Sequence, residues 1–257
     1  MNARERRDEI ARLVLDRGRI QVTELTQQYG VTDTSIRHDL ALLEDMGLLR
    51  RIHGGAITTS HALQMAERSE RMSRMASEKK RIAQAALNFL RPSQVVIMDS
   101  GTTVLQLGRV VPPALRRPGA LRMVTNSIPL VEEVGIWASP NLLLLGGIFL
   151  PEHLATVGPD TLGGLQRITA HCAFLGCDGM TVEAGITTAH PLIAEVGRAM
   201  AAHAEKVVVL ADSSKLERAG FVPIIPLNQM HVFITGREAP HEVLAQLREH
   251  GVEVILA

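Results

Sequence analysis

Twelve residues, TDTSIRHDLALL from Thr32 to Leu43, constrain this chain more than any other stretch. Thr32 can cap a helix, and Asp33 places a negative charge in the first turn, where it suits the helix dipole. Ile36, Leu40 and Leu43 recur at i, i+4 and i+7 and so form one buried stripe. Thr34, Ser35, Arg37 and His38 are left facing outward near the helix start. A helix buried on one side, with short polar and basic groups at its N-terminal end, suits the DNA major groove.

The flanking residues complete a winged helix-turn-helix over residues 1–57. Glu5 to Arg17 is helix-like, with Ile10, Leu13 and Val14 on one face and Gly18 as its stop. Ile20 to Val22 is β-prone. Thr23 is expected to cap the next helix, which turns Leu25 and Tyr29 inward and ends at Gly30. Residues 30–32 form the tight turn. Beyond Gly47, Leu48 to His53 and Gly54 to Ile57 read as strand, turn and strand. That hairpin is the expected wing, and it sets Arg50, Arg51 and His53 against phosphates.

Charge alone does not identify a DNA reader. Residues 1–57 hold nine arginines (4, 6, 7, 12, 17, 19, 37, 50, 51) and nine acids (5, 8, 9, 16, 24, 33, 39, 44, 45), so the module is neutral. An ordinary three-helix bundle with solvating arginines would have the same balance. Position decides between them: Arg37, Arg50 and Arg51 lie on the recognition helix and wing, while Glu44 and Asp45 are expected past the far end of that helix.

The remaining chain is long enough for a second core. With 46% apolar residues and net charge +0, the 257 residues read as globular rather than disordered. No apolar run is long enough to span a bilayer, and the charged N-terminus does not resemble a secretion signal, so a cytoplasmic protein is expected. Cys172 and Cys177 form a lone C-x4-C pair, read as reduced thiols rather than a metal site; no metal or cofactor is expected. Residues 58–80 read as a linker. It starts without periodicity and then becomes one charged, Met-rich helix over 65–80, either a relay or a solvated connector.

Residues 81–257 alternate strand and helix patterns. Strands are expected at 95–98, 121–124, 142–145, 173–175, 207–210, 231–234 and 252–256. Helices are expected at 104–110, 130–135, 191–204 and 241–250. That alternation predicts an α/β domain with a mainly parallel, Rossmann-like sheet, whose ligands bind beyond the carboxyl ends of the strands. Four of those ends carry short polar runs. Asp99-Ser100-Gly101-Thr102-Thr103 offers hydroxyls and a helix N-terminus to a phosphate. Asn126 and Ser127 follow another strand, Asp178 sits between Gly176 and Gly179, and Asp212 to Lys215 ends in a cation. Four such loops on one sheet are more specific than any one alone.

The run from Val31 to Ile57, VTDTSIRHDLALLEDMGLLRRIHGGAI, resembles the DNA-binding signature of the DeoR family of bacterial sugar-metabolism regulators. DSGTT at 99–103, TNS at 125–127, GG at 146–147, LGCDG at 175–179, GITT at 185–188 and ADSSK at 211–215 are similar to its effector domain. The resemblance implies a second domain related in fold to ribose-5-phosphate isomerase. It implies Ser100, Gly101, Thr102 and Thr103 around the phosphate of a phosphorylated sugar, with Asp99, Asn126, Asp178 and Lys215 along the sugar. Ile186 to Leu192 is reminiscent of the amino-sugar regulators. Two positions depart from the family: His38 stands where an arginine is common, and Gly197 where a lysine is. Histidine is shorter and changes charge near neutrality.

The competing class is a sugar-phosphate isomerase carrying a DNA-binding module. Proton transfer between adjacent carbons needs several acids and bases, and Asp178 is followed only by Gly179 and Met180. A ligand-responsive transcription regulator is therefore expected, most simply a repressor of a sugar-catabolism operon. Its expected partners are operator DNA, a phosphorylated sugar and its own copies, as a homodimer or higher even oligomer, because paired half-sites need two recognition helices.

Overall fold

The structure is a computed structural model of residues 1–257, with side chains described for residues 1–60 and 62–257. The chain divides into two compact units, Met1–Arg71 and Met72–Ala257. The first contains α1 (Ala3–Arg17), β1 (Arg19–Gln21), α2 (Val22–Tyr29), α3 (Asp33–Asp45), β2 (Leu49–Ile52) and β3 (Gly55–Thr58). Asn2 caps α1 reciprocally with Glu5, and Thr32 caps α3 through the Ser35 amide. Gly18 and Gly30 close α1 and α2 in the left-handed conformation that L side chains disfavour. Thr23 does not cap α2. That helix already starts at Val22, and the Thr23 carbonyl accepts a hydrogen bond from the Thr26 hydroxyl instead.

Ile10 and Val14 of α1, Ile20, Leu25 and the α3 stripe Ile36, Leu40 and Leu43 form the core of this unit, closed by Leu49 and Ala56 of the wing. The strands pair in the order β1-β3-β2, all antiparallel, so the wing is tied back to the segment between the first two helices.

The expected single helix over 65–80 is two. α4 (Ser60–Ser73) and α5 (Ala76–Ala86) are separated at Met75, whose φ of 54° leaves the right-handed helical region. No glycine or proline marks that break. The division between units falls at the end of α4, so the stretch expected as one linker contributes α4 mainly to the first unit and α5 to the second.

After a short 3-10 turn the second unit continues with β4 (Gln94–Met98), α6 (Thr102–Val110), β5 (Leu121–Thr125), α7 (Ile128–Gly135), β6 (Leu142–Leu144), β7 (Ile148–Leu150) and β8 (Ala155–Val157). Next come α8 (Pro159–Leu165), β9 (Ala170–Leu175), β10 (Gly179–Thr181), β11 (Gly185–Thr188), α9 (Pro191–Ala202), β12 (Ala204–Leu210), β13 (Val222–Ile225), β14 (Val232–Thr235), α10 (His241–Glu249) and β15 (Glu253–Leu256). Seven strands form a sheet in the order β15-β14-β12-β9-β4-β5-β6, and every neighbouring pair is parallel. All seven expected strands lie in it.

Alternate residues of the sheet feed two cores. Val96, Met98, Phe174, Val208 and Leu210 pack with Ile82, Ala83 and Ala86 of α5 and with α6 and α7. Ile97, Ala173, Leu175, Val207 and Val209 pack with α9 and α10. A small antiparallel sheet, β10-β11-β13, and the hairpin β7-β8 complete the unit. No helix among the described residues is long and apolar enough to cross a membrane.

Candidate DNA interface and effector site

On α3, Thr34, Arg37 and His38 are exposed and Ser35 is half-buried. Ser35 serves the helix start, with its hydroxyl 2.9 Å from the Thr32 hydroxyl. Arg37 is held by Asp33 one turn earlier, Nε to Oδ2 at 2.8 Å. On the wing, Arg50 and His53 are exposed. Arg51 is pinned: its Nε donates to Glu44 Oε2 at 2.5 Å and its amide donates to Oε1 at 2.7 Å. Those bonds, the backbone amide first, hold the Glu44 carboxyl below its ordinary value. Glu44 therefore does not stand clear of the basic surface, as expected from sequence, but ties the wing to the end of α3.

One residue of this unit escaped the sequence reading. Asp39 is 1% exposed. Arg6 Nε donates to its Oδ2 at 2.6 Å and Arg7 Nη1 to its Oδ1 at 3.4 Å, so α1 fixes α3 by charge as well as by packing. The signal was present, because Asp39 lies three residues after Ile36 and beside Leu40, on the buried face.

In the second unit the strand order places the candidate loops together. From β4 the chain moves outward through β5 and β6, then returns on the other side of β4 through β9, β12, β14 and β15. The order reverses between β4 and β9, and in open parallel sheets the crevice at such a reversal binds ligands. The loops after β12, β9, β4 and β5 are the four chemically loaded ones, and these strands are consecutive neighbours.

Asp99 spans the reversal. Its Oδ1 accepts from the Gly101 amide at 2.6 Å and its Oδ2 from the Gly176 amide at 2.7 Å, joining the β4 and β9 loops. Burial pushes its carboxyl up to about 6; the Gly176 and Gly101 amides oppose that rise, and the nearby charge of Asp178 adds to it. With both oxygens engaged, Asp99 holds the two loops in shape. Gly101 and Gly176 abut: a Cβ on Gly101 would lie 2.9 Å from Asp99 Oδ1 and 3.3 Å from Gly176 Cα.

Past Gly101, α6 begins with no side-chain cap. Ser100 and Thr102 are half-buried beside these free amides, and Thr103 is buried. An uncapped helix start next to hydroxyls offers the kind of donors an anion takes. Asn126 is buried; its Nδ2 donates to the Thr156 carbonyl at 2.9 Å, while its Oδ1 has no hydrogen-bond partner. Asn126, Asp99, Ser100, Gly176, Gly197 and Ile224 line one small cavity. Ser127 is spent on structure, since its hydroxyl caps α7 through the Leu130 amide.

Asp178 behaves oppositely to Asp99. Burial alone would raise its carboxyl, but the Thr188 hydroxyl at 2.8 Å, the Ala189 amide at 3.1 Å and the charges of Lys215 and His153 outweigh burial and lower it. It stays ionised, with the Lys215 cation nearby. His153 and His190 meet edge to face, 5.9 Å between ring centres, and neither was singled out from sequence. His190 Nδ1 accepts the Leu192 amide and so caps α9. Cys172 and Cys177 are free; burial pushes the Cys172 thiol up to about 12 and raises that of Cys177.

Comparison with known proteins agrees with this division. Residues 6–62 match the DeoR-like helix-turn-helix domain and residues 74–237 the DeoR C terminal sensor domain. The chain is 31% identical to a putative aga operon transcriptional repressor of Escherichia coli O157:H7, over 98% of this chain and 93% of that protein. It is 33% identical to the HTH-type transcriptional regulator GlpR of Haloferax volcanii, over 98% and 96%. Among solved structures, ribose 5-phosphate isomerase A from Methanocaldococcus jannaschii superposes over 55% of each chain at 17% identity, with a TM-score of 0.41. So loose a superposition adds nothing to the topology described above.

Proposed function

The chain belongs to the DeoR family of transcriptional regulators, and from that premise we propose that it represses a sugar-catabolism operon until a phosphorylated sugar occupies the second unit. Thr34, Arg37 and His38 meet base edges, Arg50 and His53 meet phosphates, and Arg51 joins them by giving up Glu44. Two copies or a higher even number present paired recognition helices to operator half-sites. The observation that supports the effector site is that four polar loops follow four neighbouring parallel strands, one of them leading into the uncapped start of α6.

In this reading the α6 amides and the hydroxyls of Ser100, Thr102 and Thr103 take the phosphate, with Gly101 giving close approach. Asp178, Asn126 and Lys215 take the sugar, while Asp99 and Ser127 position the loops. One ionised aspartate followed by Gly179 and Met180 binds hydroxyls but lacks the partners for proton shuttling, so the unit senses rather than converts. Ligand preference for the DNA-incompetent state shifts the population off the operator.

The test is a thermal-shift screen of the full chain against phosphorylated aldoses, ketoses and amino sugars, because a binder raises the midpoint by mass action. Lys215→Ala and Thr102→Ala should each weaken the binding so found by about 1.5–3 kcal/mol. They should leave ligand-free DNA binding intact. Isomerase turnover by the parent, abolished by Asp178→Asn, would replace the sensor with the enzyme.

A further inference from the structure

The connector contains two charges that its surface-like composition does not announce. Glu78 and Lys79, in the first turn of α5, are each 2% exposed. Both turn toward the loop after β12. Glu78 Oε1 accepts the Ser213 amide at 2.6 Å and its Oε2 accepts the Ser213 hydroxyl at 3.1 Å. Lys79 Nζ lies 3.6 Å from Oδ2 of Asp212, itself 1% exposed, and Oδ1 of Asp212 accepts the Ser214 hydroxyl at 2.5 Å. Gly236, at the end of β14, seats the Glu78 carboxylate where any Cβ would collide with it. Four consecutive residues, 212–215, are thus gripped from α5 at one end and carry Lys215 at the other.

A carboxylate taken out of water is retained only with full hydrogen bonding, and Ser213 supplies two of those bonds. The Glu78 carboxylate thus ties the 212–215 loop to the start of α5. At this same, N-terminal end α5 is joined, through Arg74 and left-handed Met75, to α4.

We propose that Glu78 is a positioning residue: it sets where Lys215 stands and makes α5 follow the loop, so that the clamp carries effector occupancy into the connector. The second half of this statement rests on the effector site proposed above; the clamp itself does not. The linkage is reciprocal, so disturbing either end disturbs the other.

Hydrogen–deuterium exchange on the full chain tests it. Glu78→Ala removes both acceptors and should speed exchange of the amides of residues 213–216 and of α4 by about tenfold or more, the factor set by losing a charged hydrogen bond. Glu78→Gln keeps an acceptor for the amide and a donor for the hydroxyl, and should restore near-parent exchange in both places. Ser213→Ala, a milder cut from the loop side, should speed exchange in α4 in the same direction, and it serves if Glu78→Ala does not fold.

A 213–216 loop that loosens in Ser213→Ala while α4 exchanges as in the parent would overturn the clamp. So would a Glu78→Gln variant no better protected than Glu78→Ala. A separate arm adds inorganic phosphate. It should protect the start of α6 in the parent and in Ser213→Ala, but change α4 exchange only in the parent. No protection of α6 in the parent would instead count against the effector site, leaving the clamp to stand or fall on the variants.

Discussion

The two units partner their carboxylates in opposite ways. In the DNA-binding unit, carboxylates are met by arginine side chains: Asp39 by Arg6 and Arg7, Asp33 by Arg37, Glu44 by Arg51 and Glu24 by Arg17. In the sensor unit, the strand-end carboxylates and Glu78 of α5 are met chiefly by backbone amides and hydroxyls: Asp99 by Gly101 and Gly176, Asp178 by Thr188 and Ala189, Glu78 by Ser213. The buried Asp39 pair holds α1 to α3, but the solvent-facing pairs of Arg37 and Arg51 can exchange partners when an anion arrives. Amides fixed at the ends of strands cannot, so they preserve the shape of a ligand site. The first arrangement suits a surface that must rearrange its charge on binding, the second a pocket that must not.

The largest effect that separates the two is expected at Asp39. Asp39→Ala leaves Arg6 and Arg7 without their shared acceptor inside the helix interface. It should destabilise the first unit by about 3 kcal/mol, the low end for a broken buried pair because Arg6 and Arg7 can reach water. Urea unfolding followed by a probe in that unit measures this; a loss below about 1 kcal/mol would put Asp39 with ordinary surface pairs.

Asp99 should show the reverse pH behaviour of an ion-paired acid. Its carboxyl is raised from 3.8 to about 6 in the folded chain. Its contribution to stability is therefore fully present below the unfolded value and lost as pH rises through about 6. Relative to Asp99→Asn, the parent should lose about 2 kcal/mol between pH 4 and pH 7. Asp178, held below its ordinary value, contributes in the opposite sense and weakens as the pH falls. A parent that gains stability over Asp99→Asn across that range would show that the amides, not burial, govern Asp99.

The smallest effect concerns the wing. Arg50 is exposed and makes no ion pair among the described residues, whereas Arg51 already has Glu44. On random duplex DNA, Arg50→Ala should reduce the slope of log affinity against log salt by about 1. Arg51→Ala should reduce it less. Equal reductions would mean that Glu44 releases Arg51 without resistance.

The sequence made the central sheet legible because each of its strands is a short apolar run bounded by turn residues. The helices α6, α7, α9 and α10 followed from 3.6-residue periodicity. The small strands β7, β8, β10, β11 and β13 were not legible: with three or four residues each they show no alternation, and glycines, prolines and threonines break up the apolar runs that marked the sheet strands. α8 was hidden by its two glycines, and the break at Met75 by the absence of any breaker. Four of the candidate loops could be read as polar strand ends, but their adjacency could not, because strand order is a tertiary property. Partnership was the harder loss. Asp99 and Ser127 read as ligand groups and are bound to their own chain. Asp39, Glu78 and Lys79 are not singled out by the sequence and are buried. Glu78 and Lys79 stand four residues before Ile82 and Ala83, so helical periodicity did point to the face they occupy.

The paired arginines of the first unit also bear on how such a protein searches a genome. A basic surface lingers on any duplex, because every phosphate it meets releases counterions at no cost elsewhere. In the proposed complex Arg37 and Arg51 each come to DNA from a carboxylate partner and trade part of that contact for a new one, and the net charge of residues 1–57 is zero. Random sequence offers little to compensate that exchange, while an operator adds base contacts that do. The discrimination that counts in a cell is the ratio between one site and the vast excess of competing ones. On the proposed DNA face, neutral pairing would widen that ratio by weakening the hold on random sequence.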